Sequence, residues 1–162
     1  MIFLGIVSSK KNYLKIKKEI FKAKENPDKY DIIQITEDNV TNIKNITFNS
    51  IIIFDEIKWK ANSKKDLEKV CDNSKYLIIN SDIEMNLEGK NKKQIITFGM
   101  NQMATVTVSS ITEDKILISL QRNIIDIEGN IKEVEEISVK NKKNFDIYIL
   151  LIKYIIESIF FW

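Results

Sequence analysis

The sequence predicts a three-layer α/β fold, in which a mostly parallel β-sheet with helices on its faces carries an appended antiparallel β meander and a closing apolar helix at the C-terminus. Short apolar runs alternate with segments of helical periodicity as far as residue 99, which is typical of a parallel sheet covered by helices. From residue 104 onwards, strand-like alternation continues without a helix, which indicates antiparallel pairing. Residues 144–162 are apolar on nearly all sides, as in a buried helix.

Strands of the parallel part are predicted wherever a short, continuous apolar run occurs. These runs are residues 2–8, 31–36, 50–54, 76–80 and 95–98. Residues 12–24 follow a helical period that should stop at residues 26–28, where Asn-Pro-Asp interrupts it. A second helix is predicted from Ser63, interpreted as an N-cap with Asp66 in the first turn, to about Asn73.

The antiparallel part is predicted as a meander of consecutive strands. Its strand-like segments are residues 104–111, 115–122, 124–127 and 131–139. Glu128-Gly129-Asn130 separates the last two segments, and a glycine that can adopt a positive φ is typical of a hairpin turn.

The C-terminal helix, predicted within residues 141–162, carries only a narrow polar stripe that includes Lys153 and Glu157. Its apolar stretch is shorter than the ~20 residues that cross a bilayer, so we predict burial in the core or in a subunit interface and no membrane contact. Phe160-Phe161-Trp162 would form an exposed aromatic patch if nothing covered it. We therefore predict a homodimer formed through this helix.

Composition excludes several classes of function. The chain has 162 residues, enough for a single domain with a parallel part (1–99), an antiparallel part (100–140) and the closing helix (141–162), and its net charge of +2 gives no strong field for nucleic acid. It contains no histidine, which excludes Ser-His-Asp triads, Cys-His pairs and ordinary zinc sites. The single cysteine, Cys71, and an N-terminal apolar run too short for a signal peptide predict a cytoplasmic protein.

Three short segments follow one another in a distinctive order: Tyr76-Leu-Ile-Ile-Asn-Ser-Asp82, Ile95-Ile-Thr-Phe-Gly99 and Ala104-Thr-Val-Thr-Val-Ser-Ser-Ile111. This order resembles the central domain of the Mur ligases, which join amino acids to peptidoglycan precursors using ATP. In that family a strand ending in an Asn-x-Asp turn precedes a strand of the type I-T-[FY]-G and a small antiparallel sheet. Residues 141–156 are similar to the helix that closes the domain. The resemblance implies a Rossmann-like sheet over about residues 50–156.

The ATP site of that family does not carry over to this sequence. Mur-type enzymes place a loop G-x-x-G-K-[ST] after the first strand, where main-chain N–H groups, a lysine and a hydroxyl hold the phosphates and Mg²⁺. The corresponding stretch here runs from Gly5 to Asn12; it has no second glycine, and Asn12 follows Lys11 where the family has Ser or Thr. We therefore predict no cofactor and no metal, and the sequence argues against enzymatic activity.

Candidate ligand-binding residues lie at the carboxyl edge of the predicted sheet, where open α/β sheets bind ligands. They are Ser8, Ser9, Lys10, Lys11, Asp55 and Asn80. Four of them also have an ordinary structural interpretation: Lys10 and Lys11 as solvated lysines at a helix start, Asp55 as a strand-end carboxylate, and Asn80 as a turn former that hydrogen-bonds the local backbone.

Two hypotheses about function remain open on this sequence. The first is a non-catalytic interaction or regulatory module, cell-wall related if the Mur resemblance reflects function. The alternative is an enzyme or sensor that binds a nucleotide or another phosphate ligand at the candidate residues through a non-standard loop. Nucleic-acid binding would need a basic face, which the near-neutral charge disfavours.

Overall fold

The computed structural model describes residues 1–22, 30–84 and 94–160. In chain order, the elements are β1 (Ile2–Val7), α1 (Lys10–Lys22), β2 (Tyr30–Ile35), α2 (Val40–Ile43), β3 (Ser50–Ile53), α3 (Ala61–Asp72), β4 (Tyr76–Asn80), β5 (Gln94–Phe98), β6 (Val106–Ile111), β7 (Lys115–Leu120), β8 (Ile124–Ile125), β9 (Ile131–Lys132), β10 (Glu135–Lys140) and α4 (Ile147–Phe160). Among the described residues, eight strands pair in a mixed, mostly parallel arrangement, and β8 and β9 form a separate hairpin. The predicted α/β class is confirmed. The chain divides into two compact units, Met1–Ile95 and Ile96–Trp162.

The first unit contains four parallel strands in the order β4-β3-β1-β2. β1 runs in register with β2 from Ile2 opposite Tyr30 to Val7 opposite Ile35, and β3 pairs with the other side of β1. All residues of β3 are buried, as expected for an inner strand of a parallel sheet. The strand order reverses at β1, because the chain goes outward to β2 and then returns past β1 to β3 and β4.

The core of the first unit gathers apolar residues of these strands and of the segments packed on them. Its fully buried members include Val7, Ile35, Phe48, Ile51 and Leu67. Gly5 lies inside β1, opposite Ile33 and Ile51 in the two ladders. A Cβ atom on Gly5 would stand 2.5 Å from Cδ1 of Ile51 and 2.6 Å from Cδ1 of Ile35. Gly5 is therefore a packing residue within a strand, whereas the resemblance placed it at the start of a loop.

The two longer helices of the first unit agree with the sequence to different degrees. α1 buries Ile16 and Ile20 on one face, as its helical periodicity predicts. α3 begins at Ala61, so the interpretation of Ser63 as its N-cap is wrong. The residue before α3 makes no side-chain cap, and the Glu37 carboxylate accepts its main-chain N–H instead.

Asp66 connects α3 to α2. Its carboxylate accepts a hydrogen bond from Thr41 Oγ1 at 2.9 Å and lies 3.4 Å from Lys44 Nζ. The hydrogen bond from Thr41, followed by the charge of Lys44, lowers the pKa of Asp66. Asp66 therefore acts between helices, and its predicted role in the first turn of α3 is not observed.

The second unit combines a parallel pair with antiparallel strands. β5 pairs with β6 in parallel, β6 with β7 antiparallel through an irregularity between Val108 and Ser110, and β7 with β10 antiparallel. The predicted simple meander is therefore wrong in one respect: β8 and β9 are not part of this ladder and, among the residues that the structure describes, pair with each other alone. Residues 131–139, predicted as one strand, divide into β9 and β10.

The turn of the β8–β9 hairpin is organised by a buried carboxylate. Asp126 is 3% exposed, and its Oδ1 accepts the main-chain N–H groups of Glu128 at 2.9 Å and Asn130 at 2.8 Å. The side-chain amide of Asn130 donates to Oδ2 at 2.9 Å, and this bond contributes most to lowering the pKa of Asp126. Gly129 has a φ of +93°, as the predicted hairpin turn requires.

α4 is buried along most of its length. Its buried residues are Ile149, Leu150, Leu151, Ile152, Tyr154, Ile155, Ile156, Ser158 and Ile159. Lys153 Nζ and Glu157 Oε1 lie 3.9 Å apart on the less buried stripe. No helix within the described residues is long and apolar enough to cross a membrane. Dimerisation through α4 stays a prediction, and the aromatic patch behind it falls partly on residues 161–162, outside the described residues, as does the predicted helix stop at 26–28.

Candidate functional site

The carboxyl ends of β1 and β3 meet where the strand order reverses, the position at which open α/β sheets bind ligands. The loop after β1 is Ser8-Ser9, and the loop after β3 begins with Phe54 and Asp55. Both loops are fixed to one another, because the carbonyl oxygen of Val7 accepts the N–H of Phe54 at 3.0 Å and lies 3.4 Å from the N of Asp55.

The Asp55 carboxylate lies against the N-terminus of α1. Its Oδ2 accepts the main-chain N–H of Ser9 at 2.7 Å. The side-chain amide of Asn12 lies 2.9 Å from both Oδ1 and Oδ2. These donors are of the kind that binds phosphate at a helix N-terminus, and the helix dipole favours the negative charge there. In this chain an internal carboxylate takes the place of a bound anion.

Ser8 and Ser9 are part of the local hydrogen bonding. Ser9 Oγ accepts the N–H of Asn12 at 3.3 Å, and Ser9 O accepts the N–H of Tyr13 at 2.9 Å, so Ser9 caps α1. Ser8 is 1% exposed and donates to Ser9 O at 3.1 Å. Gln34, near the end of β2, donates its side-chain amide to Ser8 O at 2.9 Å.

Asn80 closes the same edge at the end of β4. It is buried and donates its side-chain amide to Phe54 O at 3.0 Å. Its Oδ1 accepts the N–H of Asp82 at 3.0 Å, which is the Asx turn geometry of a strand end. Asn80 therefore connects β4 to the residue that precedes Asp55.

Lys10 and Lys11 stand apart from this network. Both side chains are exposed, and the described part of the chain offers neither of them an ion pair or a hydrogen bond. They begin α1, whose first turn contains no acidic residue. Trp59 is partly buried and packs against the core of the first unit.

The structure thus brings four of the six candidate residues into one hydrogen-bonded edge: Ser8, Ser9, Asp55 and Asn80. Two further residues of this edge, Asn12 and Gln34, were not predicted as members. The spacing of Ser9 and Asn12 is that of an N-cap and its third following residue, which is the sequence signal that points to Asn12. Gln34 gives no such signal, because its partner lies in another strand connection.

A second polar cluster lies in the second unit. Tyr154 of α4 donates its hydroxyl to Glu135 Oε1 at 2.7 Å, and Lys132 Nζ lies 2.9 Å from the same oxygen and 4.9 Å from the centre of the Tyr154 ring. Lys132, and then Tyr154, lower the pKa of Glu135. Burial raises the pKa of Tyr154, so its phenol stays protonated and donates. The cluster joins β9, β10 and α4.

Glu135→Gln should lower the free energy of unfolding by about 1 kcal/mol at neutral pH, because a charge-assisted contact that is partly exposed is lost. The folded-state pKa of Glu135 is depressed, so the carboxylate stabilises the protein above the ordinary glutamate pKa of about 4.3. That contribution disappears as pH falls through the folded-state pKa. Urea unfolding from neutral pH to about pH 3 should therefore show the two proteins converging in acid. Glu133→Gln, at an exposed residue between β9 and β10, serves as the control and should change little; a difference independent of pH would contradict the assignment.

Within the described residues, no three acidic or cysteine side chains come together in a way that could hold a metal ion. A scan against models of protein families gives no match for this chain, and a search of curated proteins gives none either.

Proposed function

We propose that this chain is a non-catalytic α/β domain, similar in fold to the central domain of the Mur ligases, that works as an interaction or regulatory module. The observation that carries the proposal is the position of Asp55. Its carboxylate accepts the N–H of Ser9 and the side-chain amide of Asn12 at the start of α1. The donors that would receive a phosphate group are thus already hydrogen-bonded within the chain.

Electrostatics strengthen this reasoning. A phosphate approaching the N-terminus of α1 would meet the negative charge of Asp55, and displacing that carboxylate would break its bonds to Ser9 and Asn12. Nor does the β1–α1 connection contain a glycine, because Gly5 lies within the strand. Main-chain N–H groups therefore lack the close approach that a glycine-rich loop gives to a triphosphate.

The proposed likeness to the Mur fold rests on the strand arrangement. The order β4-β3-β1-β2 in the first unit suits a Rossmann-like, three-layer sheet. In the second unit, the parallel pair of β5 and β6 followed by antiparallel strands suits the extension that the resemblance implies.

The alternative function, a nucleotide or phosphate-ligand sensor, draws support from Lys10 and Lys11. Both are exposed in the first turn of α1, beside the loop that carries Ser8 and Ser9. Their positive charges would attract an anion even if no main-chain N–H groups were available to bind it. The same experiment distinguishes this alternative from the proposal.

Asp55→Ala should create an anion site that the natural chain lacks, because it releases the N–H of Ser9 and the Asn12 amide. Without added anion the variant should be less stable by about 1–2 kcal/mol, the net value of charge-assisted hydrogen bonds that are partly exposed. Thermal unfolding should then show a saturable rise in Tm with phosphate or sulfate for this variant only, since a ligand that binds only the folded state stabilises it.

Glu56→Ala is the matched control, because it removes the same charge from the next, exposed residue and leaves the helix donors bonded to Asp55. The unmodified protein should show no specific stabilisation by ATP, GTP or UDP-linked peptides, with or without Mg²⁺. A saturable, Mg²⁺-dependent rise with ATP that is lost in Lys10→Ala/Lys11→Ala would establish the sensor alternative and overturn the proposal.

A further inference from the structure

β10 is an outer strand whose second side is unpaired within the described residues. It is the last member of the run β5-β6-β7-β10 and pairs only with β7. Its side chains alternate between half-buried and exposed, as E-E-I-S-V-K. An unpaired strand edge presents main-chain N–H and C=O groups to any strand that can align with it.

The hydrogen-bond pattern fixes which residues of β10 point away from β7. Asn141 N donates to Asp114 O at 2.8 Å, continuing the β7–β10 ladder beyond its last pair. Because main-chain groups alternate sides along a strand, Glu135, Ile137 and Val139 bond towards β7. The main-chain groups of Glu136, Ser138 and Lys140 therefore face the open edge.

We propose that β10 pairs antiparallel with β10 of a second copy of this chain, about a two-fold axis that passes at Ser138. In this register Ser138 faces its own equivalent. Glu136 of each copy lies opposite Lys140 of the other. The dimer would extend the β10 ladder across both copies through main-chain hydrogen bonds.

The side chains of β10 favour a second copy of this chain as its binding partner. The exposed face would carry an opposite-charge pair of Glu136 and Lys140 on each side of Ser138, and such cross-strand pairs stabilise antiparallel sheets. On the other face, Ile137 would lie opposite Val139 of the other copy. Strand edges are normally protected by charge that repels a second copy, whereas here the charges at the two ends have opposite signs and attract.

The proposed register also aligns β10 along its whole length. A shift of two residues in either direction leaves the outward main-chain groups of Glu136 or Lys140 without a partner residue in β10. It also places Glu136 or Lys140 opposite Ser138, so both Glu136–Lys140 pairs are lost. The surface does not involve the loop around Asp55, so the inference is independent of the proposed function.

Sedimentation velocity and light scattering over a range of protein concentrations test the proposal. The natural chain should form a dimer. Glu136→Lys and Lys140→Glu should each raise the dimer Kd by about tenfold or more, because each places like charges opposite one another on both sides of the axis. Glu133→Lys, an equal charge change at an exposed residue outside β10, should leave the dimer unchanged.

Mixing the two single variants gives the sharpest result. One variant then carries only lysine at both charged positions and the other only glutamate, so a mixed dimer regains full complementarity. The mixture should dimerise although each variant alone does so weakly, and the double variant Glu136→Lys/Lys140→Glu should dimerise like the natural chain. A natural chain that is monomeric at all concentrations, or single variants that dimerise equally well, would overturn the proposal.

Discussion

Replacing Phe48 by alanine should lower the free energy of unfolding by about 3–5 kcal/mol, the usual cost of removing a buried aromatic side chain and leaving a cavity. Phe48 is fully buried and belongs to the core cluster of the first unit. Its surroundings have little freedom to collapse. Phe48 O accepts the N–H of Lys75 at 3.2 Å, and Asn49 exchanges hydrogen bonds of 2.9 Å with the backbone of Phe3.

Urea unfolding followed by circular dichroism measures this loss. Leu14→Ala is a suitable control, because Leu14 is 54% exposed on α1 and truncating an exposed side chain changes stability by only about 0.5 kcal/mol. A loss below about 1 kcal/mol for Phe48→Ala would mean that this side chain does not fill the core as described.

Gly5→Ala should destabilise the protein by about 1–3 kcal/mol, because the added methyl group overpacks a core without space for it. The new Cβ would stand 2.5 Å from Cδ1 of Ile51 and 2.6 Å from Cδ1 of Ile35, so both isoleucines would have to move. Both isoleucines are fully buried, so neither side chain can relieve the clash by rotating into solvent.

A double-mutant cycle with Ile51→Val tests the cause of this loss. In the natural chain Ile51→Val should cost about 0.5–1.5 kcal/mol. In the Gly5→Ala background the same change removes the clashing Cδ1 atom, so it should cost much less or restore stability. Strict additivity of the two changes would show that Gly5 is required for a reason other than packing against Ile51.

The strands of the first unit could be predicted because each contains a short apolar run, which is buried on both faces throughout β3 and along most of β1 and β4. β4 was predicted with its observed ends, Tyr76 and Asn80. The start of α3 could not be predicted, because Glu37 accepts the N–H of Lys60 from a segment far away in sequence. Ser63 offered a local capping pattern, but a tertiary contact fixed the helix start earlier.

In the antiparallel part, the strand-forming segments could be predicted from the sequence but their pairing partners could not. Alternation over residues 131–139 predicted one strand, since nothing in that pattern marks a change of partner. In the structure β9 pairs back onto β8 while β10 pairs with β7. Strand pairing is a long-range property, and several pairings are compatible with the same alternation.

The strand pattern of the sequence was enough to predict that Ser8, Ser9, Asp55 and Asn80 lie at the carboxyl edge of the sheet, but not the hydrogen bonds between them. Asp55 was considered as a ligand-binding residue or an ordinary strand-end carboxylate. Asp55 can form hydrogen bonds with Ser9 and Asn12 because β3 lies beside β1. This strand order could not be predicted from the sequence. In the sequence, Asn12 only occupies the position where the Mur motif has a hydroxyl residue.

The insertion of β8 and β9 between β7 and β10 also has a consequence for the order of refolding. The β6–β7 pair and the β8–β9 hairpin form between segments close in sequence, whereas β10 must return across the whole hairpin before its ladder closes. In an isolated copy, β10 should therefore be the last strand of the second unit to dock and the first to detach. Its amides should exchange with deuterium sooner than those of β7.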